Sequence, residues 1–173
     1  MQHVGNLGRE LLNLVLTPNQ YDFWAEQLGS TAAWDRCFAR VVQTQQGENF
    51  STLVLRPNRH WRGFRAGQHC NVTASIDGRN ITRSYSLSSA PNQGLLEITI
   101  CREAGGLMSN WLIDHCRVGQ RLELGCAFGD GVLGTTLPKG LLLLAAGSGI
   151  TPIISTVREL AAQQMPIEVT VLY

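Results

Sequence analysis

The sequence predicts a six-stranded antiparallel β-barrel, preceded by a helical arm and followed by the beginning of a parallel α/β unit. Two observations lead to this fold class. Six short β-rich runs with turn signals between them fill residues 36–136, and one helical segment interrupts them, which is typical of an antiparallel barrel. Residues 138–173 then show the order strand, glycine turn, helix and strand, which indicates a βαβ unit.

Composition and charge are those of an ordinary globular protein and exclude several classes. The 173 residues are 44% hydrophobic and 16% charged, and the formal net charge of +1 argues against a nucleic-acid binder. The five cysteines lack any metal-site spacing, so we expect reduced thiols in a cytoplasmic protein and no metal or iron–sulfur cluster in this chain. The longest apolar run, GLLLLAAG, is too short to span a bilayer. We therefore expect no transmembrane segment, and contact with a membrane only through a partner.

Residues 1–35 are predicted to form a helical arm. The run LGRELLNLVL is followed by Thr17 and a proline, which stop one helix and start a second, NQYDFWAEQL, closed by Gly29. Trp24 and Trp34 are expected to be apolar anchors. We expect the arm to pack on the barrel. The alternative is that an amphipathic surface of the arm docks a partner or a membrane face.

Residues 36–136 are predicted to form the barrel domain. Asp77-Gly78, between the third and fourth runs, is one of the strongest short-range signals for a two-residue hairpin. The single helix is expected near MSNWLIDHC. The six predicted strands are CFARVVQTQQ, NFSTLVLRP, QHCNVTASI, NITRSYSLSS, LLEITICRE and QRLELGCAF.

Residues 138–173 change to the pattern of a parallel sheet. The strand GLLLL leads through AAGSGITP into a helix, with Thr151 as the predicted N-cap and Pro152 as the first helical residue. The last strand, IEVTVLY, is mostly apolar, as a strand buried on both faces should be. Because two parallel strands and one helix cannot cover both faces of a sheet, we expect these residues to be the front of a longer domain.

Three segments carry groups suited to an anion. In NITRSYSLSS, Arg83 and Tyr85 share one strand face, where an unpaired charge needs an anionic partner. The turn AAGSGITP, with Gly147 and Gly149, opens a helix whose first N–H groups can face a ligand, and EAGGLMSNWL offers a second such helix start at Gly106. Each turn alone is a weak signal. Together, two anion sites and one arginine suit a dinucleotide pyrophosphate.

These segments carry a resemblance to a known family. RSYSLSS, GGLMSNWL, GCAFGD and GSGITP occur in the order and spacing of the ferredoxin–NADP reductase superfamily, which the chain resembles over residues 37–173. The resemblance implies a six-stranded antiparallel barrel that binds FAD, or in some branches FMN, followed by an α/β domain that takes NAD(P)H as substrate. Ala127 is a departure, because many members have proline there in a turn that ends at the position of Gly129.

The resemblance also implies roles for single residues. Arg83 pairs with the flavin phosphates, Tyr85 packs against the isoalloxazine ring, and the hydroxyl of Ser86 lies near flavin N5, which makes Tyr85 and Ser86 the candidate catalytic residues. Since Tyr85 and Ser86 lie on opposite strand faces, both can reach one ring only at a bend or edge of the strand. Gly106 begins the pyrophosphate helix, and the turn from Gly147 receives the nicotinamide nucleotide. The full predicted cofactor-binding set is Arg83, Ser84, Tyr85, Ser86, Gly106, Leu107, Met108, Ser109, Gly147, Ser148, Gly149, Ile150 and Thr151.

The N-terminal half resembles one branch of the superfamily, the reductases that supply electrons to bacterial membrane fatty-acid desaturases, through YDFWAEQL, LVLRPNRHWRGFRAGQHCNV and DGRNITRSYSLS. The resemblance implies a flavin-dependent NAD(P)H oxidoreductase that passes electrons through FAD to an iron–sulfur or other one-electron acceptor. A ferredoxin domain or a membrane desaturase would be the redox partner, with [2Fe–2S] only in a further C-terminal domain.

Two questions stay open at the level of the sequence. The alternative function, of a different class, is a non-catalytic flavin-binding module or a degenerate reductase fragment without a complete NAD(P) site. The sequence also does not choose between NADH and NADPH. The residue that grips the ribose typically lies about 20 residues beyond the glycine turn, which is close to the end of this sequence.

Overall fold

The computed structural model describes residues 17–134 and 136–173. The predicted first helix, LGRELLNLVL, lies outside the described residues. The order of the elements confirms a six-stranded barrel sheet followed by a βαβ unit. The helices are α1 (Pro18–Gln27), α2 (Leu107–Asp114) and α3 (Ile150–Ala162), and the strands are β1 (Phe38–Gln46), β2 (Phe50–Pro57), β3 (His69–Ile76), β4 (Arg79–Ser86), β5 (Leu96–Cys101), β6 (Arg121–Phe128), β7 (Gly140–Leu144) and β8 (Glu168–Leu172).

Strands β1 to β6 form one antiparallel sheet in the order β4–β3–β6–β1–β2–β5. Among the described residues, the two end strands, β4 and β5, meet at a bridge between Leu87 and Ile98, where the sheet closes on itself. The predicted hairpin between β3 and β4 is confirmed: Asp77 and Gly78 have φ of 50° and 75°, and the flanking residues pair directly. Two positive φ values are what a type I′ turn requires.

The barrel interior is filled by alternate side chains of its strands, as a period of two residues dictates. Leu53 and Leu55 of β2, Val72 of β3 and Ile98 of β5 are fully buried. Helix α2 adds Leu112 to the same core. Burying each such side chain stabilises the fold by about 1.5–3 kcal/mol. The strands are therefore held in place by a well-packed core.

Helix α1 begins with a reciprocal cap. The Gln20 N–H donates to Thr17 Oγ1 over 3.4 Å, and the Thr17 N–H donates to the Gln20 side-chain oxygen over 2.9 Å, which is a capping box. The helix packs through its other face, where Asp22 and Ala25 are buried. The prediction that Trp24 is an apolar anchor is wrong, because its side chain lies on the outer face of α1 and is 56% exposed.

The βαβ prediction is confirmed, since β7 and β8 are parallel and α3 connects them. The start of α3 differs from the prediction. Helix α3 begins at Ile150 with Gly149 as its N-cap, and Thr151 lies inside the first turn. The reason is that a 3₁₀ turn, Gly147–Gly149, runs directly into the helix, while Pro152 is tolerated in a first turn, where its missing N–H is not needed.

No helix in the two described ranges is long and apolar enough to cross a membrane.

Candidate functional site

A cleft of about 470 Å³ opens at the seam between β4 and β5. Its walls are Arg83–Ser86 on the β4 side and Thr99–Cys101 on the β5 side, and the start of α2 and the turn before α3 complete it. The seam exists because β4 and β5 are the two ends of the sheet and come together at the Leu87–Ile98 bridge without forming a continuous ladder. A volume of this size lies within the range of pockets that hold drug-sized ligands.

The backbone of β4 presents hydrogen-bonding groups to this seam. The Leu87 N–H donates to the carbonyl of Gln68 over 3.1 Å, which continues the β3–β4 register by one pair. In an antiparallel ladder, directly bonded and non-bonded pairs alternate. The N–H and C=O groups of Tyr85 therefore point toward β3, and those of Ser84 and Ser86 point toward the seam.

The side chains of β4 separate into two faces. Thr82 and Ser84 lie on the outer face and bond across to β3, with 2.7 Å between the hydroxyl oxygens of Thr82 and Thr73 and 2.6 Å from Ser84 Oγ to Asn71 Oδ1. On the same face, Ser86 lies opposite His69 in the register. The outer hydroxyls of Thr82 and Ser84 are therefore engaged within the sheet.

Arg83 and Tyr85 lie on the other face of β4, at the mouth of the cleft. Arg83 is exposed and donates one hydrogen bond, of 2.7 Å, to the carbonyl of Thr82. Tyr85 packs against the barrel core. Burial raises the pKa of Tyr85 to about 12, although the nearby Arg83 charge acts in the opposite direction. Tyr85 is therefore a neutral aromatic wall over the whole physiological range.

The N-terminus of α2 supplies donors to the same cleft. Gly106 is the N-cap and makes no side-chain cap bond, and Gly106, Leu107, Met108 and Ser109 all line the cleft. The first N–H groups of a helix have no partner within the helix, and the helix dipole favours an anion there. A Cβ on Gly106 would lie 2.3 Å from Ser109 Oγ and 2.8 Å from the Cβ of Glu103, so any larger residue here would have to displace both side chains.

The turn before α3 reaches the cleft from the other side. Ser148 and Thr151 line it, whereas the other predicted residues of this turn, Gly147, Gly149 and Ile150, do not. The Thr151 hydroxyl donates to the Ser148 carbonyl over 2.8 Å, which fixes the turn. The structure thus brings three separate predicted segments, from β4, α2 and α3, to one cleft.

Sequence reasoning missed the β5 wall. Thr99, Ile100 and Cys101, together with Glu103 and Gly105, also line the cleft. The strand LEITIC carries an ordinary alternation of apolar residues, and its proximity to Arg83 depends on the order of strands in the sheet. The one available signal was that β5 leads directly into the glycine pair before α2.

Across residues 17–134 and 136–173, no group of three or more His, Cys, Asp or Glu side chains is arranged to hold a metal ion.

Comparison with known proteins identifies the family. The model of the oxidoreductase FAD-binding domain matches residues 41–132, a range that includes both walls of the cleft. The chain belongs to this family. The predicted membership of the ferredoxin–NADP reductase superfamily is confirmed, and further solved members of that superfamily share the fold.

Two relatives show how the domain is used elsewhere. A flavohemoprotein of Pseudomonas aeruginosa is 37% identical over 131 residues, which are 74% of this chain and 33% of that protein. The ferredoxin reductase component of a 3-ketosteroid-9-alpha-monooxygenase from Mycobacterium tuberculosis is 45% identical over 95 residues, which are 54% of this chain and 26% of that protein. The chain therefore spans about a third or less of the length of these two relatives.

A solved structure gives the same result for the fold. The flavohem-like FAD/NAD binding domain of a nitric oxide dioxygenase from Vibrio cholerae superposes with a TM-score of 0.72 and 27% identity, over 81% of this chain and 62% of that one. Membership of the FAD-binding family assigns this domain to flavin-dependent electron transfer. The narrower likeness to desaturase reductases stays a prediction.

Proposed function

We propose that this chain binds FAD in the seam cleft and takes electrons from a nicotinamide nucleotide for delivery to a one-electron acceptor. The observation that carries the proposal is the convergence of β4, α2 and the turn before α3 on one cleft of about 470 Å³. The N-terminus of α2, which has no side-chain cap, and the exposed Arg83 are donors that suit a diphosphate.

The residues present fit a flavin dinucleotide. The guanidinium of Arg83 and the first N–H groups of α2, near Gly106, would hold the phosphate oxygens. The ring of Tyr85 would cover one face of the isoalloxazine, and the seam-facing N–H groups of Ser84 and Ser86 would bond its polar edge. The bound flavin would supply two-electron acceptance and one-electron release.

The turn before α3 is the proposed site of the nicotinamide nucleotide. Ser148 and Thr151 line the cleft beside the flavin-binding segments, and the positive end of the α3 dipole, which lies at this turn, favours a phosphate. We include Gly147, Gly149 and Ile150 in this site because they form the turn itself. The proposed division of the chain is an arm of 1–35, a flavin barrel of 36–136 and the nucleotide unit of 138–173.

The acceptor is proposed as an iron–sulfur centre or another one-electron group on a redox partner. The names of the two relatives support this class, because one is a ferredoxin reductase component of a monooxygenase and the other is a flavohemoprotein. A ferredoxin domain and a membrane fatty-acid desaturase are the candidate partners. The alternative function is a flavin-binding module without nicotinamide activity.

The first experiment measures flavin content and affinity. Arg83→Ala should weaken FAD binding roughly tenfold to a hundredfold, because a charge-assisted hydrogen bond contributes about 1.5–3 kcal/mol. Arg79→Ala is the matched control, since Arg79 is an exposed arginine of the same strand outside the cleft. A folded wild-type protein that takes up no flavin would contradict the proposal.

The second experiment separates the enzyme from the binding module. Anaerobic addition of NADH or NADPH to the flavin-loaded protein should bleach the flavin absorbance, and the faster nucleotide names the preferred donor. Bleaching by dithionite but by neither nucleotide would favour the module.

A further inference from the structure

Helix α3 is attached to the barrel at the point where the barrel closes. The hydroxyl of Ser155 donates to the carbonyl of Ser89 over 2.7 Å, and Ser155 is fully buried. Three residues later, Arg158 donates to the carbonyl of Ser88 over 2.9 Å and forms an ion pair with Glu97. The attachment thus uses both a buried hydroxyl and a charged group.

The barrel residues that receive these bonds belong to both sides of the seam. Ser88 follows β4, and Glu97 lies in β5 next to the bridge residue Ile98. The Ser88 N–H donates to the Glu97 carbonyl over 2.8 Å, and the Glu97 N–H donates to Ser89 Oγ over 3.2 Å. Arg158 therefore contacts the two strands where they are already bonded to each other, just beyond the end of the cleft.

The attached face of α3 continues into the cleft. Thr151, Ser155 and Arg158 are spaced by four and three residues, so they share one helix face. Thr151 lines the cleft, and Ser155 and Arg158 hold the helix about 6 and 11 Å further along its axis, at 1.5 Å per residue. A small tilt of the helix about this attachment would move the turn at Ser148 relative to β4.

We propose that Ser155 and Arg158 are positioning residues that set the nicotinamide turn over the flavin cleft, an inference that rests on the proposed function. They act through α3 and contact neither nucleotide nor flavin. The Arg158–Glu97 pair is partly exposed, with side chains 46% and 29% accessible. Exposed pairs of this kind contribute little to stability, so we expect its loss to leave the fold intact.

The chain offers a close control for Glu97. Glu123 also pairs with an arginine, Arg36, and the two side chains are 29% and 45% accessible. That pair lies within the barrel domain and does not involve α3. Glu97→Gln and Glu123→Gln therefore remove equal charges from equally exposed pairs. Of the two, Glu97→Gln is the one that removes a contact with α3.

The test uses the flavin-loaded full chain with three measurements. In Glu97→Gln and Arg158→Met, we expect hydrogen exchange of the α3 amides to rise at least about fivefold, iodide quenching of flavin fluorescence to rise about twofold, and the maximal rate of bleaching by the preferred nucleotide to fall at least about tenfold. Each tenfold step corresponds to about 1.4 kcal/mol. FAD affinity should stay within twofold of wild type, and Arg158→Lys, which keeps the charge, should recover part of the rate.

The outcomes are distinguishable. Glu123→Gln should match wild type in all three measurements. If Glu97→Gln and Arg158→Met behave like Glu123→Gln, the positioning role is wrong while the proposed function stands. If the wild-type protein binds FAD and is not bleached by a nucleotide, the enzymatic proposal fails. In that case, unchanged hydrogen exchange of the α3 amides in Glu97→Gln and Arg158→Met would still overturn the inference.

Discussion

Arg83 occupies an inward-facing position of β4, and its side chain is nevertheless exposed. It lies opposite the fully buried Val72 in the β3–β4 register, so the alternation places both on one face. Arg83 is exposed because β4 is an end strand and its inner face opens onto the cleft at this point. The sequence identified the face and the need for an anion, and the strand order determined that the face is open.

The cysteines give a residue-scale prediction. Cys101 and Cys126 are exposed, whereas Cys70 and Cys116 are buried. Burial raises the pKa of Cys70 to about 12 and that of Cys116 to about 11, so both stay as unreactive thiols at pH 8. We expect iodoacetamide to modify Cys101 and Cys126 rapidly, as measured by peptide mass spectrometry.

Bound FAD should change this pattern at one site. Cys101 lines the cleft and Cys126 does not, so saturating FAD should slow alkylation of Cys101 at least about tenfold and leave Cys126 unchanged as the internal control. Equal protection of both thiols, or of neither, would argue against the cleft as the flavin site.

The segment that enters β3 illustrates a constraint at the scale of elements. Gly67 has a φ of 93°, and a Cβ there would lie 2.0 Å from the carbonyl oxygen of Gly131. Around it, Arg65 donates to the Leu133 carbonyl over 2.6 Å and Gln68 to the Gly129 carbonyl over 3.3 Å. The close backbone approach fixes the loop after β6 against the segment that leads into β3, the strand that pairs with β4.

Gly67→Ala and Gly78→Ala should therefore differ in their effect on stability. Both positions have a left-handed φ, which an alanine adopts at a cost of about 1–2 kcal/mol. Only Gly67→Ala also forces a side chain against backbone, which adds roughly 1–3 kcal/mol of overpacking. Urea denaturation should show the larger loss of unfolding free energy for Gly67→Ala, and equal losses would show that the loop shifts freely.

At the scale of the molecule, the site joins parts that are distant in sequence. The cleft combines β4, β5, the start of α2 and the turn before α3, and α3 is fastened to the barrel through Ser155 and Arg158. A ligand that contacts all these parts binds the folded state alone. Its binding free energy therefore adds to the free energy of unfolding.

Removal and return of FAD test this linkage. FAD at about one hundred times its dissociation constant should stabilise the protein by about 2.7 kcal/mol, seen as a rise in the thermal unfolding midpoint. Arg83→Ala should need a tenfold to hundredfold higher FAD concentration for the same rise, while Arg79→Ala should match wild type. A midpoint that does not respond to FAD in the wild-type protein would contradict binding in the cleft.

The sequence by itself determined the local structure and the chemical type of the site. Period-two alternation, the Asp77-Gly78 turn and the glycine turns are local signals, and the strands, the hairpin and the βαβ unit follow them. Only the tertiary structure decided which strands are neighbours. The open seam, the β5 wall with Cys101 and the attachment of α3 through Arg158 depend on contacts between residues far apart in the chain. No local pattern encodes those contacts, because they result from the closure of the sheet and the packing of α3 against it.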